Sequence, residues 1–531
     1  MSKNRRDNRI FLPAPIRGVD FRNSVFDTPA RYSPMMFNFL PVNGKLVKRN
    51  AHNELTLNAA LDGSPPLVIT YTDGTTIVPI AVGKSNTVSA TATSGSHPAG
   101  FQPTRESWCQ FRDQLLVTHS ILGTVYRLNP TTLAYTAGLT FTNGGKASIC
   151  VHRERVYVGS GKFLYYGGVG AYTAAAMTAF DLTNIITGGI SSIKSLSISV
   201  TGTLDHVLVI ISTLGEVIIY AGGYPAALDW TLINRFNVDI DASTSPDYKR
   251  YVELIEVPGD LLIVPTGGFS IFSLKALISG NVESSDFFAP MRPLFDDVEG
   301  YRVSNVEFRG SKSAVYWPTR NSLVVVVSVT NNYWPFQQRW SSYFDISTLV
   351  GSTNYDTTTV VALYDFVQNI WTLHTLNDYD GCFNIIAAAR DYVLIPGIQS
   401  AIRLFDTGAG VNWYLDNGTD VVKSLACLVP ESDQFSNKRS TLGILYGLEQ
   451  NDAAISVATQ RSFDVSQAST FTSINYTQTT NYVTGAIVDL TGVDHSVQVQ
   501  VLYQEPDAES PLKWEFYGID VLYEPGGEIN G

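Results

Sequence analysis

Cysteine, histidine, methionine and charge are all scarce in this chain of 531 residues, and each scarcity closes off a class of function. The four cysteines, Cys109, Cys150, Cys382 and Cys427, stand singly, with no CxxC, and Cys150 with His152 is a lone Cys/His pair with no further Cys or His close by. A structural zinc needs several such ligands at short spacing, so these read as reduced, mostly buried thiols, and no metal or cofactor is expected. The seven histidines are scattered too, and each reads as a surface or satisfied residue. Only five methionines occur, and no long segment combines helical periodicity with caps, so little helix is expected. No uninterrupted apolar run is longer than that of Leu323–Val327, far short of the roughly 20 residues of a membrane helix. The opening MSKNRRDNRIFLPAP has positive charges but no apolar stretch behind them, unlike a signal peptide. The expectation is a soluble protein without a membrane span, made in a cytoplasm.

Catalytic signatures are missing as well. Neither GxGxxG nor a phosphate-binding loop is present: NGGKAS, 143–148, has Thr140 where the first loop glycine belongs and Ala147 after the lysine. No GxSxG elbow or HExxH occurs. The segment DIDASTSPDYKR, 239–250, offers oxygens at Asp239, Asp241, Ser243 and Asp247. Thr244 replaces the glycine of a calcium loop and Arg250 its bidentate glutamate, so an Asx/Ser turn is the plainer reading. FDDVEG, 295–300, reads as a solvated acidic loop. Paired carboxylates for sugar hydrolysis leave no fixed spacing in a sequence, but the Ser-x-Asp-x-Gly-x-x-Trp box of sialidase-type propellers is absent. Nothing in the sequence demands an enzyme.

What is present is β-forming. Charged residues make up only 16%, while Tyr and Phe are frequent and Val, Ile and Thr recur in short runs. From about residue 108 a unit recurs: an apolar strand, a Gly-containing turn, and a second strand rich in aromatic or branched residues. Copies lie at 112–128, 153–168, 205–223 and 259–276, with weaker ones at 321–345, 358–374 and 390–408. Successive copies lie roughly 30–60 residues apart, the interval of a propeller blade with variable loops. Each such sheet buries its faces only against its neighbours, so the copies should close into a ring. A two-sheet sandwich would also give short strands with frequent turns. From Trp413 onward the strands shorten and alternate, as in SVQVQVLYQ, which suggests a separate sandwich. The expected fold class is all-β, a β-propeller with a β-sandwich-like platform domain and an extended N-terminal arm. The expected divisions are 1–50 for the basic arm, 51–412 for the propeller and 413–531 for the platform.

The arm is the oddest segment. Residues 1–50 hold ten Lys/Arg against three Asp, a net of +7 in a chain of net −12, so the remainder carries −19. Such asymmetry suggests docking on something acidic, or else a solvated tail. Within it FNFLPVNGKLVKRN, 37–50, reads as a hairpin turning at Asn43-Gly44, with Pro41 restricting its strand to a sheet edge. Phe37, Phe39 and Leu46 would supply apolar anchors for a partner, and Lys45, Lys48 and Arg49 would meet its acidic surface. These six are the candidate assembly contacts, and a chain starting at Ala51 should keep its fold while failing to assemble.

Four stretches carry a resemblance. GVDFRNSVFDTPARYSPMMFNFLPVNGKLVKRN, 18–50, resembles the opening of tail proteins from short-tailed bacteriophages. LGEVIIYAGGYPAALDWTLINRFNV, 214–238, with VPGDLLIVPTGGFSIFSLKAL, 257–277, resembles their propeller, and LKWEFYGIDVLYEPGG, 512–527, their closing strand. The family is that of the tail nozzle or hub, also called tail tubular protein B or packaged-DNA stabilisation protein. The resemblance implies a non-enzymatic virion protein of the tail, assembled in the host cytoplasm. It further implies a homohexameric ring beneath the tail adaptor ring, carrying tail fibres or tailspikes and a distal needle or plug. Genomic DNA would be retained by the ring and then pass through its lumen without sequence-specific binding. DNA carries about one negative charge per 1.7 Å of axis, so a weakly repelling acidic wall would let it slide. Two other readings remain: a tail-associated propeller glycan depolymerase, and a soluble propeller serving as an interaction module.

Overall fold

The structure is a computed structural model that describes residues 9–20, 31–33, 36–49, 108–119, 122–142, 147–199, 204–238, 252–265, 270–280, 311–330 and 357–375 as longer segments. It also describes the pieces 53–55, 67–72, 77–82, 86–89, 93–94, 98, 286, 288–291, 387–388, 393–396, 401–404, 415–416, 420–421, 424–428, 438–448, 453–460, 472–476, 484–494, 498–504 and 515–525. Among these residues the chain is nearly all strand, with one five-residue helix at Leu274–Ile278.

The repeated unit is a small antiparallel sheet whose four strands run in sequence order. Blade 1 is built from Leu67–Thr72, Ile77–Val82, Thr87–Ser89 and Thr93–Ser94. Blade 2 follows with Trp108–Phe111, Gln114–His119, Thr124–Leu128 and Tyr135–Thr140. Blade 3 has Ala147–His152, Arg155–Ser160, Phe163–Tyr166 and Thr178–Asp181. Blade 4 has Ile190–Ser199, Leu204–Ser212, Glu216–Ala221 and Thr231–Asn237. Blade 5 shows three strands, Val252–Val257, Asp260–Pro265 and Phe272–Ser273. Blade 6 has Ser311–Trp317, Ser322–Thr330, Thr357–Asp365 and Ile370–Thr375. Blade 7 is Ala387–Ala388, Val393–Pro396 and Ala401–Leu404, completed by a strand from near the N-terminus, Asn53–Leu55.

First strands of consecutive sheets touch from blade 2 to blade 7, and Ala387–Ala388 of blade 7 then meets Leu67–Thr72 of blade 1. The sheets therefore close into a β-propeller, and its last blade is completed by an early strand. Apolar clusters fill the gaps between blades. One joins Ile69, Ile80 and Val82 of blade 1 to Leu115, Val117 and Leu128 of blade 2; another joins Val207, Val209 and Ile211 of blade 4 to Leu254, Leu261 and Ile263 of blade 5. Middle strands are covered on both faces, which is why Val207–Ile211 reads as an unbroken apolar run and is wholly buried. Polar ties cross the same gaps: both ring nitrogens of His152 in blade 3 bond to blade 4, Nδ1 to Ser195 Oγ at 2.8 Å and Nε2 to the Gly222 carbonyl at 2.9 Å.

The hairpin units found in the sequence fall in blades 2 to 7, with one correction. The described strands of the stretches 321–345 and 358–374, Ser322–Thr330 with Thr357–Asp365 and Ile370–Thr375, belong to a single blade, while blade 1, over 67–94, is not among the units read from the sequence. Its last two strands, Thr87–Ser89 and Thr93–Ser94, are short and hold only Val88 as an apolar residue, so they lack the aromatic signal of the others.

The platform strands form two sheets. One runs Lys438–Leu448 between Thr484–Asp494 and Glu515–Pro525. The other runs Ser424–Leu428, Gln498–Gln504, Ala453–Gln460 and Thr472–Tyr476, and its last two strands pack on Thr484–Asp494 of the first. The N-terminal arm belongs to both sheets. Its strands are β1 (Arg9–Pro13), β2 (Met36–Phe37), β3 (Phe39–Val42) and β4 (Lys45–Lys48); β5 is the Asn53–Leu55 strand of blade 7. Strands β1 and β4 pair with Glu515–Pro525, at Arg9–Pro13 opposite Gly518–Leu522 and at Leu46–Val47 opposite Glu515–Phe516. Strand β2 lies between the propeller and the platform: Phe37 pairs parallel with Leu373 of blade 6 and antiparallel with Leu425. Blade 6 and the second platform sheet are thereby one nine-stranded sheet.

Candidate assembly site

The expected hairpin is present, with Asn43 at φ 49° and Gly44 at φ 81°, so both turn residues have the positive φ that Asn-Gly tolerates. Pro41 lies on β3, the edge strand of its sheet, where its missing N–H costs no ladder bond. Phe37 does not share that strand. Asn38 adopts φ 59°, kinking the chain so that Phe37 enters the nine-stranded sheet and Phe39 the six-stranded one. Asparagine tolerates this left-handed backbone where most residues resist it. Its N–H donates to the Leu373 carbonyl at 2.8 Å, and its own carbonyl accepts from Arg49 N at 2.9 Å and Ser424 Oγ at 3.1 Å. One residue thus ties blade 6, the hairpin and the platform together.

Four of the six candidate contacts face the chain's own interior. Phe37, Phe39, Leu46 and Arg49 are each at most 1% exposed, so they are not surface anchors for a partner. The physical reason is the kink at Asn38 together with the pairing of β4 to Glu515–Pro525, which close the hairpin over the propeller–platform seam. Arg49 Nε donates to Asn38 Oδ1 at 2.9 Å. Lys45 Nζ meets Glu515 Oε1 at 2.5 Å, and the hydrogen bond to that carboxylate raises the lysine pKa above its ordinary value. Lys48 stands opposite Phe39 on β4, and its side chain lies outside the described residues. The charge of Lys45 is therefore answered within the molecule by Glu515, and Arg49 is turned inward onto Asn38. The calcium-like loop 239–250 and the acidic cluster 295–300 lie outside the described residues.

Sequence reasoning missed the other half of the seam. Gly18, at φ 76°, brings the arm against blade 6, and the next residue, Val19, donates its N–H to the Trp371 carbonyl at 2.9 Å. Phe288 packs edge-on to the Trp371 ring at 5.2 Å. Beneath them His374 is fully buried, with Nε2 3.0 Å from Thr372 Oγ1. Burial, reinforced by the positive charges of Arg49 and Arg320, holds its pKa well below the ordinary histidine value. Burial also lowers His152. For both, the unfolded chain binds a proton more readily than the folded one. Their contribution is complete above the unfolded pKa of about 6.5 and is lost as pH falls from there toward the folded values. The urea midpoint is expected to drop between neutral pH and pH ~5, and a His374→Gln chain to show a shallower drop over that window. An identical slope in that variant would assign the effect elsewhere.

The first strands of the blades line a propeller's axis, where a catalytic pair would face its substrate. Among the described residues of those strands the carboxylates are Glu253 and Glu256, both on blade 5. Glycosidase mechanisms need two carboxyl groups facing each other at roughly 5–9.5 Å. Glu253 is buried and accepts from the Ala314 N–H at 3.0 Å, while Glu256, three residues on, points to the opposite face and is exposed. Burial pushes the Cys109 thiol up to about 12, away from nucleophilic reactivity.

No protein-family model and no curated protein matches this sequence. Among solved structures, the chain is similar to the WD40 domain of SCAP from fission yeast, at 10% identity over 66% of this chain and 97% of that one, with a TM-score of 0.32. It is similar to YCF48 from Cyanidioschyzon merolae at 9% identity, over 67% and 98% of the two chains, with a TM-score of 0.33. An exo-beta-1,3-galactanase from Phanerochaete chrysosporium aligns at 10% identity over 89% of this chain and 99% of that one, with a TM-score of 0.28. By its own strand topology, the chain is a β-propeller laced to a β-sheet platform by its N-terminal arm.

Proposed function

We propose that this chain is a non-catalytic assembly protein, a propeller interaction module joined rigidly to a platform, and specifically a subunit of the tail nozzle ring of a short-tailed bacteriophage. The observation that carries the coarser reading is the shared nine-stranded sheet. A propeller hung on a flexible linker would bind partners independently of the rest of the chain. Here blade 6 and the platform are continuous through β2, so load on one is passed to the other by backbone hydrogen bonds. That suits a component that must hold other proteins in fixed geometry. The finer reading rests on the sequence resemblance at 18–50, 214–238, 257–277 and 512–527. In it the partners are further copies of the chain, the tail adaptor ring, fibres or tailspikes, and DNA passing through a lumen. The glycan depolymerase reading draws no support from the described first strands, whose two carboxylates do not face each other.

The test is the mass of the full chain in solution, by light scattering across a concentration series, with negative-stain images of the same sample. Rings, alone or after addition of a tail adaptor, are the expected result. A single-chain mass at every concentration, with no ring on the adaptor, would leave only the interaction module.

A further inference from the structure

The continuity between propeller and platform passes through a very short stretch of chain. Strand β2 is two residues long, and its pairing with blade 6 is that of Phe37 with Leu373. Backbone bonds from Asn38 N to the Leu373 carbonyl, at 2.8 Å, and from Val19 N to the Trp371 carbonyl, at 2.9 Å, reinforce it. A junction of so few bonds can part locally at a free energy below that of global unfolding.

His374 follows Leu373 on the same strand, fully buried, with Nε2 3.0 Å from Thr372 Oγ1. Two guanidinium groups act on it. From the arm comes Arg49, buried, with its Nε on the neutral amide of Asn38 at 2.9 Å. From the blade 6 turn comes Arg320, held over the Trp317 ring at 4.9 Å. Asp365, at the end of the neighbouring strand of blade 6, acts in turn on Arg320. The arm's buried acid is Asp20, one residue beyond the Val19–Trp371 bond. Neither β2 nor the platform strand beside it, Ser424–Leu428, contains a charged residue. A proton on His374 therefore puts a third positive charge into a buried seam that already holds two, where charge costs far more than in water. Burial and the two arginines oppose that proton as long as the seam is closed.

We propose that protonation of His374 is an acid switch built into the fold, parting β2 from blade 6 and freeing the propeller from the platform while the blades stay folded. Opening the seam returns the imidazole to water, where it binds a proton with its ordinary pKa. Each pH unit below about 6.5 thus multiplies the open form by up to roughly tenfold, until the folded pKa is reached. The joint is shut at neutral pH, where the imidazole is neutral, and loosens as pH falls. This inference rests on the rigid joint of the proposed function and names what releases it.

Hydrogen exchange of the full chain, read by mass spectrometry at pH ~7.5 and pH ~5 and corrected for the intrinsic pH dependence of amide exchange, tests the switch. Peptides covering Met36–Phe37, Ile370–Thr375 and Ser424–Leu428 should exchange up to about 30-fold faster at the lower pH. Those covering Val207–Ile211 of blade 4 should not change. In His374→Gln, which is neutral at both pH values, the acid response at the seam should be lost and the protection at neutral pH kept. His152→Gln removes a second buried histidine whose proton the fold opposes, between blades 3 and 4, and should leave the seam response intact. Equal acceleration at the seam and in blade 4 of the wild-type chain would mean global acid unfolding and overturn the switch, whether or not either variant folds. A seam response that survives in His374→Gln, or that is lost in a folded His152→Gln chain, would overturn it too. Seam amides that exchange freely at neutral pH would overturn the rigid joint itself, whereas protected amides that ignore acid would overturn the switch alone.

Discussion

A chain that starts at Ala51 is expected to lose its folded platform, and not only its ability to assemble. The arm places Leu12, Val19, Met36, Phe37, Phe39 and Leu46 in the core, each at most 2% exposed. Burying a side chain of this size contributes about 1.5–3 kcal/mol, so six together are worth on the order of 10 kcal/mol. The whole stability of a domain is about 5–15 kcal/mol. Polar losses add to this. Without β2 and the residues beside it, the carbonyls of Trp371 and Leu373 lose the donors Val19 N and Asn38 N, and Ser424 Oγ loses its acceptor. A buried group left without its partner costs about 1–3 kcal/mol. Strand β5 remains in the shortened chain, so blade 7 can still close. The expected thermal scan therefore retains a propeller transition and lacks the platform's, and limited proteolysis should cut throughout the region after residue 413. Melting and digestion patterns matching those of the full chain would show that the arm is dispensable, as its charge and proline content alone suggest.

Substituting Gly18 should have the largest effect of any single methyl group added to the arm. A Cβ there would lie 2.2 Å from the Trp371 carbonyl oxygen, a backbone atom that cannot rotate away, and the residue sits at φ 76°. The left-handed backbone alone costs a non-glycine residue roughly 1–2 kcal/mol. Relieving the clash must lift the arm from blade 6 and break the Val19–Trp371 hydrogen bond, and overpacking of this kind typically costs a further 1–3 kcal/mol. Gly18→Ala should therefore destabilise by about 3 kcal/mol. Gly44→Ala provides the control, since φ there is 81° but nothing lies within 4 Å of the added carbon. Its cost should be confined to about 1–2 kcal/mol of backbone strain. Urea midpoints of the two variants separate these effects. Equal shifts would mean that the arm does not pack on Trp371 in solution.

The legible part of this protein was the local part. Asn43-Gly44 sets its turn and Pro41 its edge because both act through their own backbone dihedrals and donors, whatever surrounds them. The aromatic hairpins of blades 2 to 5 announce themselves for a related reason: strand, turn and return strand are adjacent in the chain, so their pattern is written in one short window. The nearly all-β composition follows from the same short-range preferences.

The tertiary structure decided everything that depends on distant partners. Strands from the separate stretches 321–345 and 358–374 share one blade because Ser322–Thr330 pairs with Thr357–Asp365, a long-range pairing that no periodicity reports. Lys45 and Arg49 suggested an acidic partner because charge can be counted in a sequence while its counter-ion cannot be placed. Glu515, near the far end of the chain, turned out to be the counter-ion of Lys45, while Arg49 is buried with its Nε donating to the neutral amide of Asn38, brought around by a kink. Phe37 and Phe39 are alternate residues on any strand pattern, yet one left-handed asparagine sends them into different sheets. Sequence determined which elements form, because secondary structure is paid for locally. Only the folded chain determined that the arm joins platform to propeller, because that depends on strand pairings and a buried seam formed between opposite ends of the chain.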